Sequence, residues 1–218
     1  MGIAAGIASG LIVGEVIRRW LNRLNYRVTW EDSDETSLAP PGTRWWVPCA
    51  LAACWGSTVW LIPPTYDLTY WAHLLGWMAF SAIGSWMAAV DMDVRRLPDP
   101  AQFLLAVTTI LAGLGCAWSD PVRLLMGFTT GLVCGVAFLA IHMLTRGDLG
   151  LGDVKLVIIC GWWLGLISPT AVFAGLLVGC LLAVLYSALA RVRQFAFGPW
   201  LVAGTIIAGL VLPATPQP

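Results

Sequence analysis

"RLLMGFTTGLVCGVAFLAIHMLTRGDLGLGDVKLVIICGWWLGLI", residues 123–167, holds two apolar runs with an acidic, glycine-rich turn between them. The first run, 123–145, is long enough to cross a bilayer as a helix, which takes about 20 apolar residues. The second, 154–167, is shorter and begins immediately after Asp153. The turn "GDLGLGDVKL", 147–156, puts two aspartates, three glycines and a lysine at the mouth of a membrane helix. A chain that spends carboxylates there has a reason to do so, because ionisable groups at membrane depth are costly and tend to be functional.

The rest of the sequence has the same character. Of 218 residues, 59% are hydrophobic and 11% charged, with a mean hydropathy of +0.80. A soluble domain carries about a quarter charged residues, so most of this chain has no water-facing surface to provide. The sequence predicts an all-α membrane protein, a polytopic bundle of about eight transmembrane helices forming a single membrane-embedded domain over residues 1–218. The spans fall near 2–20, 45–62, 69–90, 101–118, 123–145, 154–167, 170–190 and 197–214, the sixth being the shortest. The opening run "MGIAAGIASGLIVGEVI" lacks a basic segment ahead of it and reads as a span, not a signal peptide. The polar stretch 21–44 is too short for a domain and reads as a connecting loop. A net charge of zero leaves no electrostatic footprint for nucleic acid.

Basic residues give the topology. Arg18, Arg19, Arg23, Arg27 and Arg44 flank the first connection, Arg95 and Arg96 lie in the third, Arg146 and Lys155 around the fifth, and Arg191 and Arg193 in the seventh. Arg123 alone falls in an even-numbered one. Cytoplasmic loops collect Lys and Arg, so both termini are expected outside and the odd-numbered connections in the cytoplasm, with the protein a multi-pass resident of the plasma (inner) membrane.

The candidate acids gather in two of those cytoplasmic connections. In "VDMDVRRLPDP" Asp91 ends the third span, with Asp93 and Asp99 after it; in "GDLGLGDVKL" Asp148 precedes Asp153. Carboxylates from different spans can therefore meet at one edge of the bundle. Two such groups a few ångströms apart cannot both ionise cheaply and share a proton, the arrangement by which aspartic proteases activate water. Gly150 and Gly152 leave no side chain beside Asp153 and permit positive φ.

Plainer roles compete. Asp99 before Pro100 reads as an N-cap with proline at the first helical position, and Asp153 as a possible cap of the sixth span. Asp93 and Asp148 read as solvated acids or partners of Arg95, Arg96 and Arg146, Lys155 as a snorkelling lysine, and Glu15 as a partner of Arg18 or Arg19. His73 and His142 have no second ligand at metal spacing, and the six cysteines fall singly in apolar runs without a CxxC pair. Trp45, Trp46, Trp118 and Trp200 read as interfacial residues. Two other functions are open: a Mg²⁺-dependent transferase on lipid-linked substrates, with "DMD" as its DxD, and a proton-coupled transporter, which would place acids near mid-span on interrupted helices.

The motifs also resemble a known family. "GLGD" followed by "VKL" resembles the GxGD signature of membrane aspartyl proteases, and with "DMDVRRLPD" it is similar to the type IV prepilin peptidase family, whose first catalytic aspartate precedes the aspartate of an LPD by eight residues. "GLIVGEVIRRWLNRL" resembles that family's first span and "FAFGPWLVAG", 195–204, the FGPxLAxG opening of its last. The resemblance implies a prepilin leader peptidase: an aspartic endopeptidase cutting the short basic leader of prepilin-like or pseudopilin substrates on the cytoplasmic face, just before their hydrophobic helix. It assigns the catalytic pair to Asp91, not Asp93, and to Asp153, with Gly150 and Gly152 in the active-site loop. The chain is a short form: residues 21–44 contain no cysteine, so the family's structural zinc is not expected. Proteolysis needs no cofactor. The family's second activity, N-methylation from S-adenosylmethionine, finds no glycine-rich nucleotide loop here. Asp148 and Glu15 stand where the family has a glycine and a serine.

Overall fold

The structure, a computed structural model, describes residues 2–28, 35–39, 41–62, 65–118, 120–146, 149–191 and 195–212. Among the described residues eight helices follow one another: α1 (Ile3–Leu21), α2 (Trp46–Leu61), α3 (Leu68–Val94), α4 (Asp99–Cys116), α5 (Val122–Leu144), α6 (Leu151–Gly165), α7 (Pro169–Ala190) and α8 (Gly198–Val211), with a 3-10 turn at Glu35–Ser37 in the first connection. No strand occurs among the described residues. Each helix lies where an apolar run predicts one. The helices α3, α4, α5 and α7 are long and apolar enough to cross a membrane, and α2 and α8 are shorter apolar helices. With 15 residues α6 is about 22 Å long at 1.5 Å per residue. It is not the shortest, since α8 has 14 residues.

Inside a bilayer the apolar effect does not drive helices together, so close backbone approach has to. Glycines spaced by four supply it between α1 and α2. A Cβ at Gly10 would stand 2.5 Å from the Leu51 carbonyl oxygen, and one at Gly14 would stand 2.3 Å from Pro48 Cα. The helices pair most closely as four successive hairpins, α1 with α2, α3 with α4, α5 with α6 and α7 with α8. At the centre Trp77 and Trp163 meet edge to face, ring centroids 5.4 Å apart, beside buried Phe80.

The ends of α3 differ from expectation in a way that matters. Asp67 caps its start, accepting the Tyr70 N–H at 2.7 Å. Its other end runs past residue 90 to Val94, so Asp91 and Asp93 are helical, not loop, residues. Arg95 then adopts the left-handed conformation, φ 52°, and its N–H closes on the Asp91 carbonyl at 2.8 Å. Pro98 disfavours helix at Leu97, and the chain turns back into α4. There Pro98 takes the N-cap position and Asp99 is the first helical residue, with no side-chain cap bond. The N-cap reading of Asp99 is therefore wrong: its carboxylate faces across to Lys155 Nζ at 2.6 Å. Lys155 reaches a carboxylate where snorkelling was expected.

Candidate active site

The polar end of the bundle is assembled from four connections distant in sequence. Tyr26, Arg27 and Arg44 of the first touch Asp93 at the end of α3, the Gly198 N–H of the seventh touches Asp91, and Gln102, one turn into α4, holds the Gly152 carbonyl of the fifth. All are odd-numbered connections, the set that the basic residues single out.

A cleft of about 400 Å³ opens at this end, lined by Asp91, Leu97, Asp99, Gly150, Gly152, Asp153 and the basic residues Arg95, Arg96 and Lys155. Asp91 and Asp153, from helices far apart in the chain, thus share one wall-to-wall space. Asp91 is 4% exposed, and its Oδ2 accepts the Gly198 N–H at 3.1 Å. Asp153, half-buried, sits in the first turn of α6, whose N-cap is Gly150. It holds a helix-entry position without giving up its place in the cleft.

The glycines act by their size. Neither has positive φ: Gly150 is extended, φ −64° and ψ 141°, and Gly152 is helical. The positive φ that glycine permits is used at neither position. A Cβ at Gly150 would lie 3.2 Å from Asp153 Oδ2, and one at Gly152 would lie 3.2 Å from Leu97 Cβ. A third glycine belongs with them. A Cβ at Gly198 would stand 2.8 Å from Asp91 Oδ2 and 3.1 Å from Leu97 Cδ2. Leu97 is wedged between Gly152 and Gly198, and no side chain at either could coexist with it unmoved. The "FGP" of 197–199 points to this residue in sequence, but not to its backbone N–H as the carboxylate's partner.

Asp93 has a different fate. Its side chain, 6% exposed, accepts from Arg27 Nη2 at 2.8 Å and Nε at 3.0 Å, from the Tyr26 hydroxyl, and lies 3.3 Å from Arg44 Nη2. Arg44 also donates to the Leu21 carbonyl at 2.8 Å and to the Tyr26 oxygen. Burial, then the Asp93 carboxylate, push the Tyr26 phenol above its ordinary value, and Asp93 likewise raises Arg27. Asp93 is neither a solvated acid nor a partner of Arg95, Arg96 or Arg146. Arg96 pairs instead with Glu35 at 3.0 Å and reaches the Tyr26 carbonyl at 3.1 Å, which fastens the first connection to the cleft rim. Because Asp91 and Asp93 turn their carboxylates to different partners, "DMD" does not converge on one point as a DxD would. Elsewhere, Glu15 pairs with Arg18 and Arg19 as expected. His73 accepts from Trp77 Nε1 at 3.0 Å, and His142 Nδ1 lies 2.6 Å from the Leu149 carbonyl. Gly147, Asp148 and Arg193 lie outside the described residues.

Residues 78–190, just over half of the chain, match the family described as the Type IV leader peptidase family. The chain belongs to this family. Three curated relatives, each named prepilin leader peptidase/N-methyltransferase, agree with the assignment. The one from Bacillus subtilis (strain 168) is 39% identical over 123 residues, covering 54% of this chain and 49% of the relative. The one from Dickeya chrysanthemi is 32% identical over 146 residues, 64% and 51% of the two chains. The one from Neisseria gonorrhoeae is 31% identical over 137 residues, 61% and 48%. The chain spans about half the length of these relatives. No solved structure shows a significant match. The type IV leader peptidase match takes in Asp91, Gly150, Gly152 and Asp153, whereas Gly198 lies beyond it.

Proposed function

We propose that this chain is a membrane aspartyl endopeptidase that removes the short basic leader of prepilin-like proteins, with Asp91 and Asp153 as its catalytic pair. The observation that carries the proposal is the single cleft shared by these two carboxylates, one from α3 and one from α6. In the reaction one carboxylate, ionised, takes a proton from water as the water oxygen attacks the scissile carbonyl carbon. The other, protonated, donates to the carbonyl oxygen. Collapse of the tetrahedral intermediate breaks the C–N bond, and the proton taken from water passes to the leaving amine. The Gly198 N–H holds the Asp91 carboxylate in one orientation through this sequence, and Gly150 and Gly152 let a substrate backbone reach Asp153.

The polar end gathers the arginine-bearing connections, which by the positive-inside tendency faces the cleft to the cytoplasm and sets both termini outside. Four helices of 18 to 27 residues, long and apolar enough to cross, with two shorter apolar helices and a mean hydropathy of +0.80, support a multi-pass protein of the inner membrane, for which we propose about eight spans. S-adenosylmethionine, the methyl donor suggested by the relatives' second name, does not fit this cleft. Its described lining includes no aromatic ring on which an adenine could stack.

The test is co-expression with a leader-bearing prepilin and mass spectrometry of the new N-terminus. Asp91→Asn and Asp153→Asn should each lower cleavage at least about a hundredfold, within the range for a lost acid–base group, while the protein still accumulates in the membrane. Normal processing by either variant would remove that residue from the pair.

A further inference from the structure

Below the cleft, within the apolar body of the bundle, lies a larger groove of about 570 Å³ between α4, α5 and α6. It exists because α4 and α5, though consecutive, both rest on α6 and hardly touch each other. Its walls are almost wholly apolar, with Ile110 of α4, Phe128, Leu132 and Val136 of α5 and Ile158 of α6 exposed along it. The groove and the cleft are neighbours: Val154 lines the groove and Asp153, the preceding residue, lines the cleft. From Val154 to Trp162 the groove follows α6 for about 12 Å at 1.5 Å per residue.

One side chain stands at the junction. Gln102 is 3% exposed and precedes the groove residue Ala106 by one turn of α4. Its Nε2 donates at 3.0 Å to the carbonyl of Gly152, a cleft residue. That bond fixes the amide's orientation, since the flipped amide would set oxygen against oxygen. The other end of the amide, Oε1, is buried and has no hydrogen-bond partner among the described residues. A buried acceptor left unsatisfied is destabilising, and here it lies between a residue of the apolar groove and a residue of the cleft that holds Asp91 and Asp153.

We infer that the groove seats the apolar helix of the substrate, and that Gln102 Oε1 accepts a substrate backbone N–H where that helix unwinds into the cleft. The inference rests on the peptidase reading. An apolar helix satisfies its own backbone and needs no polar wall, as the groove provides none. An extended segment at its end does need partners, and Gln102, placed between the groove residue Ala106 and the cleft residue Gly152, carries an acceptor that a small shift of its side chain would offer. Gln102 is on this account a positioning residue, setting which peptide bond reaches Asp91 and Asp153. An acyl chain would fill the groove equally well but has no N–H to offer.

A photo-reactive phenylalanine analogue at Phe128 or Val136, in the full chain carrying Asp153→Asn to retain substrate, should cross-link to the apolar segment of a co-expressed prepilin. The same probe at Phe173, exposed on α7, should not. Lipid adducts alone, or equal substrate adducts from all three positions, would overturn the proposal. The Gln102 contact is read with a synthetic leader peptide bearing its apolar segment in nanodiscs, the amide N–H after the scissile bond and each of the next three replaced in turn by ester oxygen. One such ester should raise KM about tenfold with the parent chain and leave Gln102→Leu unaffected, as loss of one hydrogen bond would. An equal ester effect in both enzymes, or none in either, would overturn it. Failure of the peptidase reading looks different, because the parent chain would then cleave no leader peptide at all.

Discussion

Asp91 and Asp93 stand two residues apart on the last turn of one helix, and they have opposite surroundings. Asp93 is enclosed by Arg27, Arg44 and Tyr26, so its charge is fully answered within the protein. Asp91 receives one backbone N–H and looks into a cleft that holds a second carboxylate. Residues at i and i+2 on a helix do not face each other, and α3 uses that geometry to keep the carboxylate enclosed by cations apart from the one that lines the cleft. An acid whose lone pairs are saturated by cations is anchored, and one left partly unanswered beside another acid is available for proton transfer. The difference lies in the partners, since the two residues have the same chemistry and nearly the same depth.

Separating catalysis from stability in the two positions gives the sharpest test. Asp93→Asn leaves two buried guanidinium groups without a counter-charge, and breaking such a pair costs about 3–5 kcal/mol. A large fall in thermal stability in detergent is expected, with cleavage per folded molecule within a few-fold of the parent. Asp91→Asn should show the reverse, full stability and lost cleavage. If Asp93→Asn is stable and inactive, the division of roles between the two is wrong.

Gly198→Ala comes next in size. Its new Cβ would meet Asp91 Oδ2 at 2.8 Å and Leu97 at 3.1 Å, and overpacking of this sort typically costs about 1–3 kcal/mol. It should lower kcat through a displaced Asp91 and leave the Asp93 cluster intact, which proteolytic susceptibility of the first connection would report. Parent-like kcat would mean that the Gly198 contact does not orient the carboxylate. The smallest effect belongs to the exposed pair at the cleft rim. Lys155→Ala removes an ion pair whose side chains are 53% and 73% exposed, and such pairs contribute about 0–1 kcal/mol. Thermal stability should hardly move, and a drop of several degrees would show that Lys155 and Asp99 brace the cleft.

Much of this was legible in the sequence because it depends on local pattern. Apolar runs place eight helices within a few residues, and the arginines group the connections that the structure brings to one end. The acids of 91 and 153 could be expected to meet because alternating spans return to the same face. What escaped depends on partners remote in sequence. Arg27 reaches Asp93 across 66 residues and Gly198 reaches Asp91 across 107, and no periodicity encodes either. The arginines of 27 and 44 count in a tally of loop charge without revealing that they are buried. The end of α3 was placed too early, at 90, because carboxylates read as loop residues until their partners are known. Gly150 and Gly152 were identifiable for the space they leave beside Asp153, but not for Leu97, which a Cβ at Gly152 would crowd.

The pairing of consecutive helices has a further consequence. Asp91 belongs to the α3–α4 pair and Asp153 to the α5–α6 pair, and the end of α4 at Cys116 and the start of α5 at Val122 are the ends of those helices away from Asp99 and the cleft. The polypeptide can in principle be made as two separate pieces divided there, each with whole hairpins and each with half of the carboxylate pair. On the proposed assignment neither piece alone would cleave a leader. Leader cleavage restored by their joint synthesis would then measure how well two hairpin sets find each other in a bilayer.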